Sequence, residues 1–159
     1  MTPTQDNSIV VSMIPPFDAS GNLPPGIHWA TWEEVAERFG KSPIRIKLLE
    51  GLKRALRSLL EAGCRTLYVD GSFVTSKDVP GDFDACWDPR DVDGDRLAPV
   101  LLDFTNRRAA QKAEYGGELF PSVSFADPAG NTFLEFFQID KRTGEAKGIV
   151  AIDLKKVTP

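Results

Sequence analysis

The stretch Val69-Asp70-Gly71-Ser72-Phe73-Val74-Thr75-Ser76-Lys77-Asp78-Val79-Pro80-Gly81-Asp82-Phe83-Asp84 puts a Gly-Ser pair at the end of an expected strand and an Asp-x-Asp pair at the start of the next. Each part has a chemical use. Gly71 lets the backbone approach a ligand closely, and Ser72 adds a hydroxyl and an amide donor, a combination suited to a polyphosphate. Residues i and i+2 of a strand share a face, so Asp82 and Asp84 present two carboxylates side by side, which suits a hard cation. Magnesium is held by one or two carboxylates together with substrate phosphates, so loop and acidic pair make one device. A third acid is expected from Glu135, set among apolar residues in Phe133-Leu134-Glu135-Phe136-Phe137. A charge on an apolar strand needs a partner. If the three carboxylates meet, they suit two metal ions and in-line phosphoryl or nucleotidyl displacement; the alternative is an edge-strand glutamate facing water.

The order apolar-x-Gly-Ser, short loop, Asp-apolar-Asp and later apolar-acidic-apolar strand resembles the DNA polymerase β-type nucleotidyltransferase superfamily. In size the chain is nearest to the minimal nucleotidyltransferases of bacterial toxin–antitoxin modules. The wider wording, from LPPGIHW through YVDGSFVTSK, PGDFDACW and FLEFFQ to KGIVAIDL, also resembles an uncharacterised bacterial and phage family assigned to that superfamily, over about residues 23 to 154. The resemblance implies a nucleotidyltransferase-like fold and a magnesium-dependent transferase. Such an enzyme moves a nucleoside monophosphate from an NTP, ATP for example, to an acceptor hydroxyl of a protein or a tRNA end. It also implies a toxin–antitoxin or phage-defence setting, with a protein partner encoded by a neighbouring gene. Carried over residue by residue, Gly71 and Ser72 bind the triphosphate and Asp82 and Asp84 ligate both magnesium ions. Glu135 ligates the catalytic ion and helps to deprotonate the acceptor.

There are two departures: Asp70 precedes the glycine where an apolar residue is usual, and the third acid is Glu where Asp is commoner. With the exposed-looking Trp29 and Trp32, they admit a second class of function, a catalytically silent binding or antitoxin module of the same fold. A two-metal phosphohydrolase would use the same carboxylates without the Gly-Ser loop.

Other residues have two readings each. Lys77, between the loop and the acidic pair, either neutralises a γ-phosphate in nucleotide binding or is a solvated loop lysine. Arg107, Arg108 and Lys112 either face the cleft and steer an anionic acceptor or form the solvated last turn of a helix, where cations suit the macrodipole. Asp91-Val92-Asp93-Gly94-Asp95 is not an EF-hand: positions six and twelve counted from Asp91 are Arg96 and Leu102, where Gly and Glu are required. Asp93 or Asp95 is better read as an N-cap. The single histidine, His28, lacks the cysteine pair of a zinc site and reads as structural.

These residues need elements to position them. Thr31 and Glu34 form a capping box that opens a helix over WEEVAERF, ended by Gly40. Ser42-Pro43 starts a longer helix whose stripe of Leu48, Leu49, Leu52, Ala55, Leu56, Leu59 and Leu60 is core, with Gly63 as its stop. Thr66–Val69 and Phe83–Trp87 read as strands. Leu97, Val100, Leu101 and Phe104 recur at helical spacing and predict a third helix over 95–113. Two strands, Leu119–Phe125 and Thr132–Ile139, are expected to pair antiparallel about a turn at Asp127–Asn131. GIVAIDL adds one more strand. Helices first and a mixed sheet afterwards give an α+β class, a small mixed β-sheet with helices packed against it.

With 159 residues, 42% of them hydrophobic, and a net charge of −4, the chain is long enough to bury a core without staples. Residues 1–26, rich in Pro, Gly and Asn, read as a lead-in arm with 1–7 disordered and a short strand at Ile9–Ile14; residues 27–159 read as one domain. The mild negative charge argues against an extensive nucleic-acid surface. No apolar run approaches the ~20 residues of a membrane span, and Pro15-Pro16 cut off the only early apolar stretch, so neither a signal peptide nor a membrane partner is expected. Cys64 and Cys86 then read as free thiols, and the expected location is cytoplasmic.

Overall fold

Two capping sites open the helical half of the chain. The Thr31 hydroxyl accepts from the Glu34 amide and the Glu34 carboxylate from the Thr31 amide, which starts α1, Trp32–Phe39. Ser42 caps α2, Pro43–Glu61, with proline in the first turn, where its missing N–H costs nothing. At the far end the amides of Gly63 and Cys64 bond to Leu60 and Leu59 carbonyls, a Schellman stop with Gly63 in the left-handed region.

The computed structural model describes residues 13–158. Beyond the helices it contains β1 (Gly26–Ala30), β2 (Thr66–Asp70), β3 (Phe83–Trp87), α3 (Thr105–Tyr115), β4 (Gly117–Pro121), a short α4 (Phe133–Phe136) and β5 (Gly148–Asp153). The strands form one mixed sheet in the order β1-β5-β2-β3-β4. β5, from the GIVAIDL segment, is a central strand, parallel to β1 and antiparallel to β2. β2 and β3 are antiparallel, and β3 and β4 parallel. A parallel pair needs a long crossover, supplied here by residues 88–116 with α3. The class is α+β, as the segment order predicts.

Alternation in the strands separates the sheet's two faces. Leu67, Val69, Phe83, Ala85, Leu119, Val150 and Ile152 point into the main core, where Val35, Phe39, Leu52, Leu56 and Leu59 of α1 and α2 meet them. Fully burying each of these valine, leucine, isoleucine and phenylalanine side chains stabilises the fold by roughly 1.5–3 kcal/mol. The opposite face carries Ile27, Tyr68, Cys86, Phe120 and Ile149, covered in part by Phe133, Leu134, Phe136 and Phe137. At one end of this second face lie Asp70, Asp84 and Glu118.

Three sequence expectations are corrected. Residues 132–139 are not a strand: Thr132 and Glu135 make a second capping box, and the segment turns into α4. The apolar positions 133, 134, 136 and 137 follow helical rather than alternating spacing, which is the physical reason. β4 stops at Pro121, and the expected antiparallel partner shrinks to a single bridge between Phe125 and Thr132, across the Asp127–Asn131 turn. The helix expected over 95–113 is broken into two 3₁₀ turns, Gly94–Arg96 and Pro99–Leu102, followed by α3. Pro99 disfavours a helical Ala98, which is extended at ψ 130°.

The arm wraps the domain: Ile14 and Leu23 are buried and the Asn22 side chain donates to Asp140 at 3.0 Å. Met13 and Ile14 lie in a bend; the rest of the expected first strand, and residues 1–7, fall outside the described residues. Asp93 caps the first 3₁₀ turn, as read from the sequence. His28 is structural, with its ring Nε2 2.6 Å from the Pro24 carbonyl oxygen. Among the described residues no helix is long and apolar enough to cross a membrane.

Candidate functional site

The residues of the Gly-Ser turn and of the acidic pair meet at one end of the sheet. Gly71 follows β2 with φ +86°, a left-handed conformation that favours glycine, and opens a 3₁₀ turn over Ser72–Val74. A Cβ on Gly71 would stand 2.9 Å from the Asp84 amide nitrogen and 3.2 Å from Asp84 Oδ2. Only a residue without a side chain allows the turn and the acid to pack this closely.

Strand pairing then sets the acids in a row. Asp70 of β2 lies opposite Asp84 of β3, and Asp84 lies opposite Glu118 of β4. Directly opposed residues have Cβ atoms about 5 Å apart on the same face. Asp82, two residues before Asp84, adds a fourth carboxylate at the mouth of the row. Like charges this close, in a partly dry site, oppose ionisation. Burial and then the neighbouring Asp70 and Asp82 push the Asp84 carboxyl up to about 7. Burial followed by Glu118 also raises Asp82.

The acids are neutralised unequally. Lys147, just before β5, bonds Asp70 Oδ1 at 2.6 Å in a largely buried pair. Even so, burial leaves Asp70 above the usual carboxylate range. Arg108 bonds Glu118 Oε1 through Nε at 2.7 Å and Nη2 at 2.6 Å, and Lys112 stands 3.8 Å away. Asp82 and Asp84 accept no hydrogen bond from a side chain among the described residues. They are the two carboxylates open to a cation. As the side chains stand, no group of three His, Cys, Asp or Glu among the described residues is gathered to hold a metal ion. A third ligand would require Glu118 or Asp70 to leave its cation.

Beside the row is a cleft of about 500 Å³ whose lining includes Asp70, Gly71, Ser72, Lys77, Asp84 and Lys147. Lys141 and Arg142 add positive charge to its rim. Lys77 therefore lies in the cleft, with no bonded partner for its ammonium among the described residues. Arg142 holds Asp140 well below the usual carboxylate range. Phe136 gives the cleft an apolar wall, with Lys141 Nζ 5.1 Å from its ring centroid.

Glu135 does not join this site. It is the third residue of α4, exposed, and its Oε1 accepts from the Thr132 amide at 2.9 Å. The acid that strand pairing sets beside Asp84 is Glu118, which the sequence expectations did not include. The available signal was local: Gly116-Gly117 ends a helix, and Glu118 then alternates with Leu119 as a new strand begins. Lys112 lies in the last turn of α3, as expected of the basic group, but Arg107 and Arg108 open that helix. Together with Asn106 they have left-handed backbone angles, and Arg108 reaches the acid row. Trp29 is half exposed, whereas Trp32 is partly covered and has Lys53 Nζ 5.9 Å from its ring centroid.

A family model matches residues 15–153, the span that holds every residue of this site. The chain belongs to DUF6932. That family is described as one of unknown function. No curated protein and no solved structure matches the chain, so what this DUF6932 member does rests on the chemistry of its own residues.

Proposed function

We propose that the chain is a magnesium-dependent nucleotidyltransferase that moves a nucleoside monophosphate from an NTP to an acceptor hydroxyl. The observation that carries this reading is the packing of Gly71 against Asp84, by which the Gly-Ser turn and one acid of the pair line the same cleft, with Asp82 just outside its lining. Gly71 and Ser72 would take the triphosphate, with Lys77 and Lys141 facing its charge. Asp82 and Asp84 would hold the cation. They fit one: both are short of donors, and a divalent ion would offset the burial and the neighbouring negative charge that raise Asp84. The bound ion would supply charge neutralisation at the phosphates. In the transfer the acceptor oxygen attacks the α-phosphorus, the bond from that phosphorus to the bridging oxygen breaks, and pyrophosphate leaves. The hydroxyl proton passes to a carboxylate of the row. A second ion, implied by the superfamily resemblance, would need Glu118 freed from Arg108. The acceptor would be a protein hydroxyl or an RNA end.

Calorimetric binding of the four NTPs with magnesium tests the reading. Metal-dependent binding to the wild type, lost in the Asp82→Ala, Asp84→Ala double variant, is the expected result. Absence of binding to the folded wild type would overturn it. A silent binding module of the same fold has one observation in its favour, the engagement of Asp70 and Glu118 by Lys147 and Arg108. Tight complex formation with a neighbouring gene's product, unaffected by Asp82→Ala, would select that reading.

A further inference from the structure

The loop that forms one wall of the cleft is held from behind by a buried cation, Arg45. This residue sits in the first turn of α2 and is only 7% exposed. Its Nη1 donates to the carbonyls of Phe73 at 2.6 Å and Phe39 at 3.3 Å. Its Nη2 donates to those of Thr75 at 2.9 Å and Lys77 at 2.6 Å. No carboxylate among the described residues forms an ion pair with it. Asp78 acts on it only through space. A buried charge without a counter-ion is costly unless its donors are satisfied, and here one guanidinium satisfies itself on four carbonyls.

The pattern of those carbonyls matters. Residues 73, 75 and 77 alternate along the loop between β2 and β3, and all three oxygens turn towards Arg45. Carbonyl oxygens repel phosphate, so a loop that offers them to the cleft could not bind an anion. From the cleft side the same loop presents Gly71, Ser72, Thr75, Ser76 and Lys77. A second hollow behind the wall is lined by Arg45, Phe39 and Asp78 together with Thr75, Ser76 and Lys77. Thus the loop is one layer thick, with the cleft before it and behind it a positive charge that Asp78 offsets only through space. The Thr75 hydroxyl, bonded to the Ser72 carbonyl at 2.7 Å, and the Ser76 amide, bonded to Gly21 at 2.9 Å, fix the remaining turns.

We infer that Arg45 is the positioning residue of the phosphate loop: it draws the carbonyls of Phe73, Thr75 and Lys77 away from the cleft and places its own charge behind it. The cleft is thereby made selective for polyphosphate. This inference rests on the nucleotide reading above and extends it to a residue outside the cleft. Lysine in its place keeps the charge but has no planar fork to serve four carbonyls.

The test is magnesium-ATP and adenosine binding to the full chain, as wild type, Arg45→Lys and Arg45→Met, with hydrogen exchange of the amides of residues 72–77. Expected for Arg45→Met is a loss of at least about tenfold in magnesium-ATP affinity, equivalent to about 1.4 kcal/mol, with adenosine binding unchanged. Arg45→Lys should bind magnesium-ATP with intermediate affinity and exchange faster in 72–77 alone. Unchanged magnesium-ATP affinity in a folded Arg45→Met overturns the inference while the nucleotide reading stands. If that variant does not fold, unchanged affinity and exchange in Arg45→Lys overturn it equally. If none of the four NTPs binds the wild type with magnesium, the nucleotide reading and this inference fall together.

Discussion

Asp84 lies directly across from Glu118 on the neighbouring parallel strand, and the two carboxylates are held in opposite ways. Glu118 takes two bonds from Arg108, whereas no side-chain donor among the described residues reaches Asp84. One acid is neutralised by the protein; the other is left without a side-chain donor, and under the proposed function it is the one that takes the cation.

Asp84 should make the metal-free protein more stable at low pH. Its carboxyl titrates near 7 in the folded chain, above the ordinary carboxylate range, so the folded state binds this proton more tightly than the unfolded one. The stabilisation is complete below about pH 4 and is lost as pH rises through about 7, a change of a few kcal/mol. Thermal melting in the presence of a chelator should show Tm falling across this window, and Asp84→Asn should flatten the fall. An equally steep fall in the variant would assign the titration to another group.

Glu118 and Glu135 make a paired test of which acid belongs to the site. Glu118→Gln should cut nucleotidyl transfer by about 100-fold or more, on the scale of removing one electrostatic stabiliser. Glu135→Ala should leave transfer unchanged and cost about 0.5–2 kcal/mol in stability, the usual effect of a lost cap. Transfer assays and denaturant melts on the two variants separate the roles; loss of transfer in Glu135→Ala alone would reverse them.

Gly71→Ala is expected to harm both fold and binding. The new methyl group meets the Asp84 amide at 2.9 Å while the backbone stays at φ +86°. A non-glycine residue held in this region costs about 1–3 kcal/mol, and relief of the contact separates the turn from the acid. NTP affinity measured by calorimetry should fall by about tenfold or more. Wild-type affinity in this variant would show that the turn does not touch the phosphates.

Neither thiol should react with Ellman's reagent in the native protein at neutral pH. Cys64 and Cys86 are buried and free, and burial lifts Cys64 to about 11 and Cys86 higher still. Thiolate, the reactive form, is scarce under these conditions. Two equivalents should appear on denaturation, and a fast native equivalent would contradict the burial of one of them.

Much of this was legible in the chain itself, because some signals are local. The capping boxes and the leucine stripe of α2 depend on residues within one or two turns of each other, so the sequence determined α1 and α2 closely. β2 and β3 follow from apolar runs bounded by turn residues. Gly71, Ser72, Asp82 and Asp84 stood out because their spacing spans one strand-loop-strand unit. Residues 132–139 differ from the expected strand for a local reason too: Thr132 and Glu135 cap each other and open a helix.

Tertiary structure decided what depends on contacts between segments far apart in the chain. Which strand lies beside β3, and hence that Glu118 stands opposite Asp84, is fixed by the crossover through α3 and not by any nearby residue. Lys147 meets Asp70 across 77 positions and Arg45 meets Lys77 across 32. A polar side chain's partner is chosen by burial, since an unpaired charge away from water is costly, and burial exists only once the sheet has closed over its core. The sequence by itself singled out Gly71, Ser72, Asp82 and Asp84; the packing decided which of the charges around them are bound and which are left open.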